Sequence, residues 1–173
     1  NVSGEATSSA GAAVSYDAAT ATDIADDGVD ITYSAASGST FAIGTTQVTA
    51  TATDDAGNTS TCTFDVTVVD TTVPTITCSA NVSAEATSSS GAAVSYDAAV
   101  ATDIADDSVA ITYSAASGST FAIGTTQVTA TATDDAGNTA TCAFDVTVAD
   151  TTVPAITCSA NISAEATSSS GAA

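Results

Sequence analysis

The sequence predicts an all-β protein, built as tandem immunoglobulin-like β-sandwiches with an 80-residue repeat. Three observations carry that reading. Residues 81–160 restate residues 1–80 with changes at only nine positions: 4, 10, 20, 28, 30, 60, 63, 69 and 75. Apolar side chains alternate at period two through Val128, Ala130 and Ala132, and again through Cys142, Phe144, Val146 and Val148. Turn segments then divide each repeat into about six or seven short strands, the number expected of a sandwich of this kind. Threonine, valine and glycine at this density leave no helical period.

Along the second repeat, TITCSANVSAEA reads as the opening strand, AAVSYDAA and VAITYSAA as two more, and SSSG and ASGS as turns. TFAIG reads as a short strand or loop that places Phe121 and Ile123 in the core. GTTQVTATATD and TCAFDVTVAD form the last hairpin around the turn DDAGN, with threonine and aspartate on the solvated face. Tyr16, Tyr33, Phe41 and Phe64 read as core aromatics. Pro74 cannot donate to a ladder and belongs at a strand start or edge. The boundaries therefore fall near 70–74 and 150–154. This gives a first domain over 1–70 that lacks its opening strand, a complete domain over 71–150, and the first strand of a third over 151–173. The arbitrary phase of both ends predicts a piece cut from a longer array.

Composition excludes several functions. The chain has no lysine, arginine, histidine, methionine or tryptophan, and its 20 acidic residues give a formal charge of −20. Such a chain cannot neutralise phosphates, so nucleic acid is excluded as a partner. Without histidine it lacks the commonest general base. Four scattered cysteines do not make a zinc site. Paired carboxylates in repeated exposed loops are a weak basis for glycoside hydrolysis, and no enzyme is expected. No apolar run is long enough to span a membrane as a helix. The 44% hydrophobic content and mean hydropathy of +0.29 argue for folding despite the charge.

The elements D-x-x-x-P-x-I-x-C, then ATD, then F-x-I-G-T-T-x-V, D-x-x-G-N-T and T-C-x-F-x-V-x-V occur in this order. Together they resemble the hyalin repeat (HYR) module across both periods. The chain departs from that pattern in having no basic residues, and in alanine at 80 and 122 where the family tends to have proline. The resemblance implies an extracellular, immunoglobulin-like module linked to adhesion and often found in tandem.

Cysteines stand at 62, 78, 142 and 158, which allows three pairings. In such a sandwich the first and last strands run roughly parallel. Cys78 and Cys142, both near their strand starts, then face one another. Cys62 and Cys78 are separated by most of a strand plus the linker. A ~7-residue strand alone spans about 23 Å, and bridged Cα atoms lie within ~7 Å. The expected bond is Cys78–Cys142. Cys62 and Cys158 have their partners outside this segment, or pair between successive chains. A disulfide implies an oxidising, extracellular compartment.

The acids cluster in two loops. Asp103, Asp106 and Asp107 lie between the second and third strands, and Asp134, Asp135 and Asn138 in the last hairpin. If strands alternate in direction, both loops lie at the end where linker residue Asp70 arrives. The same set recurs as Asp23, Asp26, Asp27, Asp54, Asp55 and Asn58. Like charges ~4 Å apart repel by about 1 kcal/mol even in bulk water, and no basic residue offsets this. Calcium takes six to eight oxygen ligands from carboxylates, amides and carbonyls. The expectation is Ca²⁺ at or near each junction, against the plainer reading of a solvated acidic surface. Asn1, Asn58, Asn81 and Asn161 open N-x-[ST] triplets and are glycosylation candidates.

These readings combine into a structural stretch of a long extracellular fibre, stalk or surface adhesin. Its partners are its own adjacent repeats and lateral copies in a filament. The alternative is a multivalent adhesion module that binds carbohydrate or protein, with avidity from repeat number.

Overall fold

The computed structural model describes residues 1–25, 28–166 and 169. Among them every regular element is a strand. The first repeat contains β1 (Val2–Glu5), β2 (Ala12–Ala13), β3 (Asp30–Tyr33), β4 (Thr40–Phe41), β5 (Gly44–Thr53) and β6 (Thr59–Val69). The second contains β7 (Thr75–Thr77), β8 (Val82–Glu85), β9 (Ala92–Ala93), β10 (Val100–Thr102), β11 (Ala110–Tyr113), β12 (Thr120–Phe121), β13 (Gly124–Thr133) and β14 (Thr139–Ala149).

Each repeat is a β-sandwich. In the second, one sheet runs β11-β13-β14-β8, faced by the short pairs β7–β10 and β9–β12. The long hairpin β13–β14 pairs ten residues antiparallel, Gly124 with Val148 through Thr133 with Thr139. Its length follows from uninterrupted alternation: Val128, Ala130, Ala132, Phe144, Val146 and Val148 are buried, and the residues between them face outward or are half-buried. The turn closes where Asp134 N–H donates to Asn138 O at 3.1 Å and Gly137 takes a φ of 91°, a conformation that favours glycine. Gly91 is fixed for another reason, since a Cβ there would lie 1.8 Å from Phe121 O.

The strand that opens the sandwich crosses between sheets. Its first part, β7, pairs antiparallel with β10; its second, β8, joins β14 in parallel, Val82 opposite Val146. β1 does the same with β6, Val2 opposite Val66. Val128, Val146, Val148, Phe144, Phe121 and Val94 form the second core, and the Tyr96 ring meets Phe144 edge-on at 4.8 Å.

Three sequence expectations need correction. AAVSYDAA contributes only two strand residues in each repeat: the ladder with β12 covers Ala92 and Ala93, and Val94 bonds through its backbone only to Gly118 and Ser119 of the adjoining turn. Phe121 is buried as expected, but Ile123 is 48% exposed: the chain bends between β12 and β13, which breaks the period of two. Residues 151–166, expected to open a third repeat, form no strand. The reason is pairing: the matching segment β7 is a strand because β10 lies beside it.

The two repeats touch directly. Ala105, in the loop after β10, is 7% exposed and packs into the first repeat's core with Ala6, Phe41, Val48 and Val66. Pro74 in the linker is buried.

Candidate metal centre

Strand direction alone brings three acids together. β7 and β10 are antiparallel with Thr102 opposite Thr75, so the exit of β10 meets the entry of β7. Asp103 is the first residue after β10, and Asp134 the first after β13. Asp70 is the first linker residue after β6. Carboxylate oxygens of Asp70, Asp103 and Asp134 lie within 4.8 Å of one another.

The three differ in how they are held. Asp134 is 5% exposed; its Oδ1 accepts Asn138 N–H at 2.7 Å and its Oδ2 accepts Asn138 Nδ2–H at 2.9 Å. Burial opposes its ionisation, but the bonds from the Asn138 side chain and backbone, with those from Gly137 and Ala136, outweigh it and hold this carboxyl below its usual range. Asp103 Oδ1 accepts Ala105 N–H at 2.8 Å. Asp103 Oδ2 is buried and meets no hydrogen-bond donor. Asp70 accepts Thr72 N–H at 3.1 Å through Oδ1, and its backbone carbonyl accepts Asn138 Nδ2–H at 3.2 Å. A buried carboxylate oxygen without a donor, facing two more carboxylates in a chain without one basic side chain, suits a hard divalent cation.

The other expected ligands divide. Asn138 turns its amide nitrogen to Asp134 and Asp70, so it braces the triad rather than offering oxygen. Asp106 accepts Ser108 N–H at 2.7 Å and Asp135 N–H at 3.0 Å, bridging the two loops outside the triad. Asp107 and Asp135 are exposed and lie outside it as well. In the first repeat Asp23 accepts Ala25 N–H at 2.8 Å, and Asp54 accepts Asn58 N–H and Nδ2–H, each at 2.7 Å. The Asn58 amide, then its backbone N–H, holds the Asp54 carboxyl below its usual range against some burial. No triad forms around Asp23 and Asp54 among the described residues. Asp55 lies in the same turn, and Asp26 and Asp27 fall outside the described residues.

Cys78 and Cys142 are bonded, with Cα atoms 5.7 Å apart, and tie the end of β7 across the sandwich to β14. Cys62 and Cys158 are free and exposed. The sequon residues Asn1 and Asn81 use Oδ1 to accept the N–H of Asp65 and Asp145, at 3.2 and 2.9 Å. Asn58 is engaged with Asp54, and Asn161 is exposed.

One functional pair escaped sequence reasoning. Glu5 accepts Thr71 N–H at 2.7 Å and the hydroxyls of Thr71 and Thr72 at 3.1 and 3.4 Å. Glu85 does the same to Thr151 and Thr152 at 2.7–2.9 Å. Each carboxylate clamps the linker leaving its own repeat. Glu5, Glu85 and Glu165 are the only glutamates in a chain of aspartates, one per period, and that was the available signal.

Comparison with known proteins agrees with this architecture. The chain matches hyalin of Strongylocentrotus purpuratus with 40% identity over 151 residues, which covers 83% of this chain. The match spans only 13% of that relative's length. Among solved structures, the fibronectin(III)-like modules of Clostridium thermocellum CbhA align over 92% of this chain and 95% of theirs, at 13% identity and a TM-score of 0.39. The human desmocollin-1 ectodomain aligns over 84% of this chain and 38% of its own, at 12% identity and a TM-score of 0.35. The HYR domain model matches twice, at residues 5–68 and 69–148, and the chain therefore belongs to the HYR domain family.

Proposed function

We infer that this chain is a structural repeat region of a long extracellular fibre, stalk or surface adhesin, whose junctions are stiffened by Ca²⁺. It works as a spacer and not as a catalyst. The observation that carries the reading is the triad at the junction. Asp70 belongs to the linker, while Asp103 and Asp134 belong to two loops of the following repeat. A cation bound to all three would fix the linker to that repeat, beside the Ala105 contact that already joins the repeats. The Cys78–Cys142 bond supports an oxidising compartment.

The test is thermal unfolding of the intact oxidised chain in millimolar Ca²⁺ and in EDTA, followed by small-angle scattering in both. The expected result is a higher Tm for the second repeat with calcium and a narrower spread of end-to-end distances. An unchanged Tm and unchanged scattering would sink the calcium reading. The junction would then be held by Ala105 packing and the Glu5 clamp alone.

A further inference from the structure

We propose that Glu5 is a positioning residue for the cation site of the following repeat. It holds Asp70 in place for Asp103 and Asp134, and through it a cation bound by the second repeat also stabilises the first. This rests on the calcium reading of the triad and names what regulates that site.

One of the three carboxylates comes from across the junction. Asp103 and Asp134 stand on loops of the second repeat, whereas Asp70 directly follows β6 of the first. Asp103 Oδ2 is buried without a donor, so it is the oxygen with most to gain from a cation. Asp70 is the ligand that must be brought to it.

Asp70 is fixed on both sides by residues outside the triad. Before it, Val69 lies opposite Glu5 in the β1–β6 ladder, and the Val69 carbonyl accepts Ala6 N–H at 2.7 Å. After it, Glu5 Oε1 accepts Thr71 N–H at 2.7 Å and Oε2 accepts the Thr71 hydroxyl at 3.1 Å. Asp70 Oδ1 in turn accepts Thr72 N–H at 3.1 Å, which ties the carboxylate to the clamped segment. Glu85 makes the same bonds to Thr151 and Thr152 in a repeat that has its opening strand, so the clamp belongs to the module. A loose linker would have to be ordered when the cation binds. Here folding of the first repeat has already ordered it.

A second contact closes a ring. Asp103 Oδ1 accepts Ala105 N–H at 2.8 Å, and Ala105 packs into the first repeat's core, which contains Ala6, the residue after Glu5. The path runs from Asp103 through Ala105 to that core and Glu5, then through Thr71 to Asp70, and the triad joins its two ends. Removing the Glu5 side chain leaves all three ligands present and loosens the position of one. Binding linkage is reciprocal: the factor by which the folded first repeat raises cation affinity is the factor by which the cation stabilises that repeat.

The test titrates the intact oxidised chain with Ca²⁺ by calorimetry, taking as the junction site the binding that Asp103→Asn removes. Glu5→Ala should weaken that site about tenfold, within the usual range of coupling between distinct sites. Glu5→Gln, which keeps an acceptor for Thr71 N–H but no charge, should stay within about threefold of wild type. Glu85→Ala, at the opposite end of β14 from Asn138, should match wild type. Saturating Ca²⁺ should slow hydrogen exchange in the β5–β6 hairpin of the first repeat about tenfold in wild type, and clearly less in Glu5→Ala. Unchanged affinity in Glu5→Ala would overturn the proposal and leave the calcium reading standing. So would Glu5→Gln binding as weakly as Glu5→Ala, because charge and not position would then set the affinity. A first repeat whose exchange ignores Ca²⁺ would overturn it too. If Asp103→Asn removes no binding, the calcium reading fails and the proposal with it.

Discussion

Repeat one and repeat two differ at nine of eighty positions, and within residues 1–150 only the second is accompanied by the segment that forms β7. Repeat two has its opening strand β7, its disulfide, a buried Asp134 and a closed aromatic core. Repeat one has the same hairpin and the same fully buried valines, Val48 and Val66, but an open flank at Cys62. None of the nine substitutions explains this. The difference is a segment of about eight residues that belongs, by sequence, to the linker before each repeat. A module that borrows part of its wall from the preceding linker is completed by its neighbour.

The comparison can be broken most forcefully at the disulfide. Cys142→Ser should cost repeat two about 4 kcal/mol, the entropy-model value for a loop of this size, and lower its Tm by roughly 20 °C. Repeat one should not respond. Calorimetry of the oxidised wild type should therefore show two transitions that approach each other in the variant. A single transition in both would mean that the Ala105 contact couples the repeats into one unit.

Core truncation sharpens the same contrast. Phe144 is 3% exposed and Phe64 is half-buried. Phe144→Ala should cost about 3–4 kcal/mol and Phe64→Ala about half that, measured by denaturant unfolding of each transition. Equal costs would show that Phe64 is as well packed in solution as Phe144.

A smaller effect separates the acidic loops. Asp103→Asn should remove most of the calcium-dependent rise in Tm of the second repeat, up to about 3 kcal/mol at a hundredfold excess over Kd. Asp23→Asn should leave it intact. If both variants respond to calcium as wild type does, the triad is not the site.

The smallest effect belongs to the glutamate clamps. The Glu5 carboxyl is held below its usual range, first by Thr71 N–H, against slight burial and with the two threonine hydroxyls assisting. A lowered folded value means that this contribution is complete above the unfolded value and is lost as pH falls through the folded one. Amide exchange at Thr71, followed down through the acid side of the carboxylate range, should quicken by a factor of about three to ten. This corresponds to losing one modest hydrogen bond. Thr151, held by Glu85 through its hydroxyl first and its N–H second, should follow the same course. A difference between the two would show that the next repeat reinforces the clamp.

The parts of the fold that sequence made legible share one property, repetition of a rule over many residues. β13 and β14 run for ten and eleven residues, so alternation has room to declare itself. The disulfide and the meeting of Asp70, Asp103 and Asp134 follow from strand direction, which the hairpin pattern supplies. The short pairs β9–β12 and β7–β10 cover only two or three residues each, and two residues have no period. Ile123 was misplaced for that reason. Ala105 was invisible because an alanine in a loop carries no packing signal until its neighbour is in place. The direction of the Asn138 amide depended on which acceptors surrounded it, and one of them is a backbone carbonyl 68 residues away.

The Cys78–Cys142 bond has a mechanical consequence. Tension along the array enters repeat two at the linker before β7 and leaves after β14. It reaches Cys78 within a few residues and passes through sulfur to Cys142. The loop they close, with the two cysteines 64 positions apart in sequence, is bypassed. At about 3.4 Å per residue, an oxidised repeat withholds roughly 210 Å of contour that an unbridged repeat would release on rupture. Redox state therefore sets how far this chain stretches before it breaks, independently of how tightly each sandwich is folded.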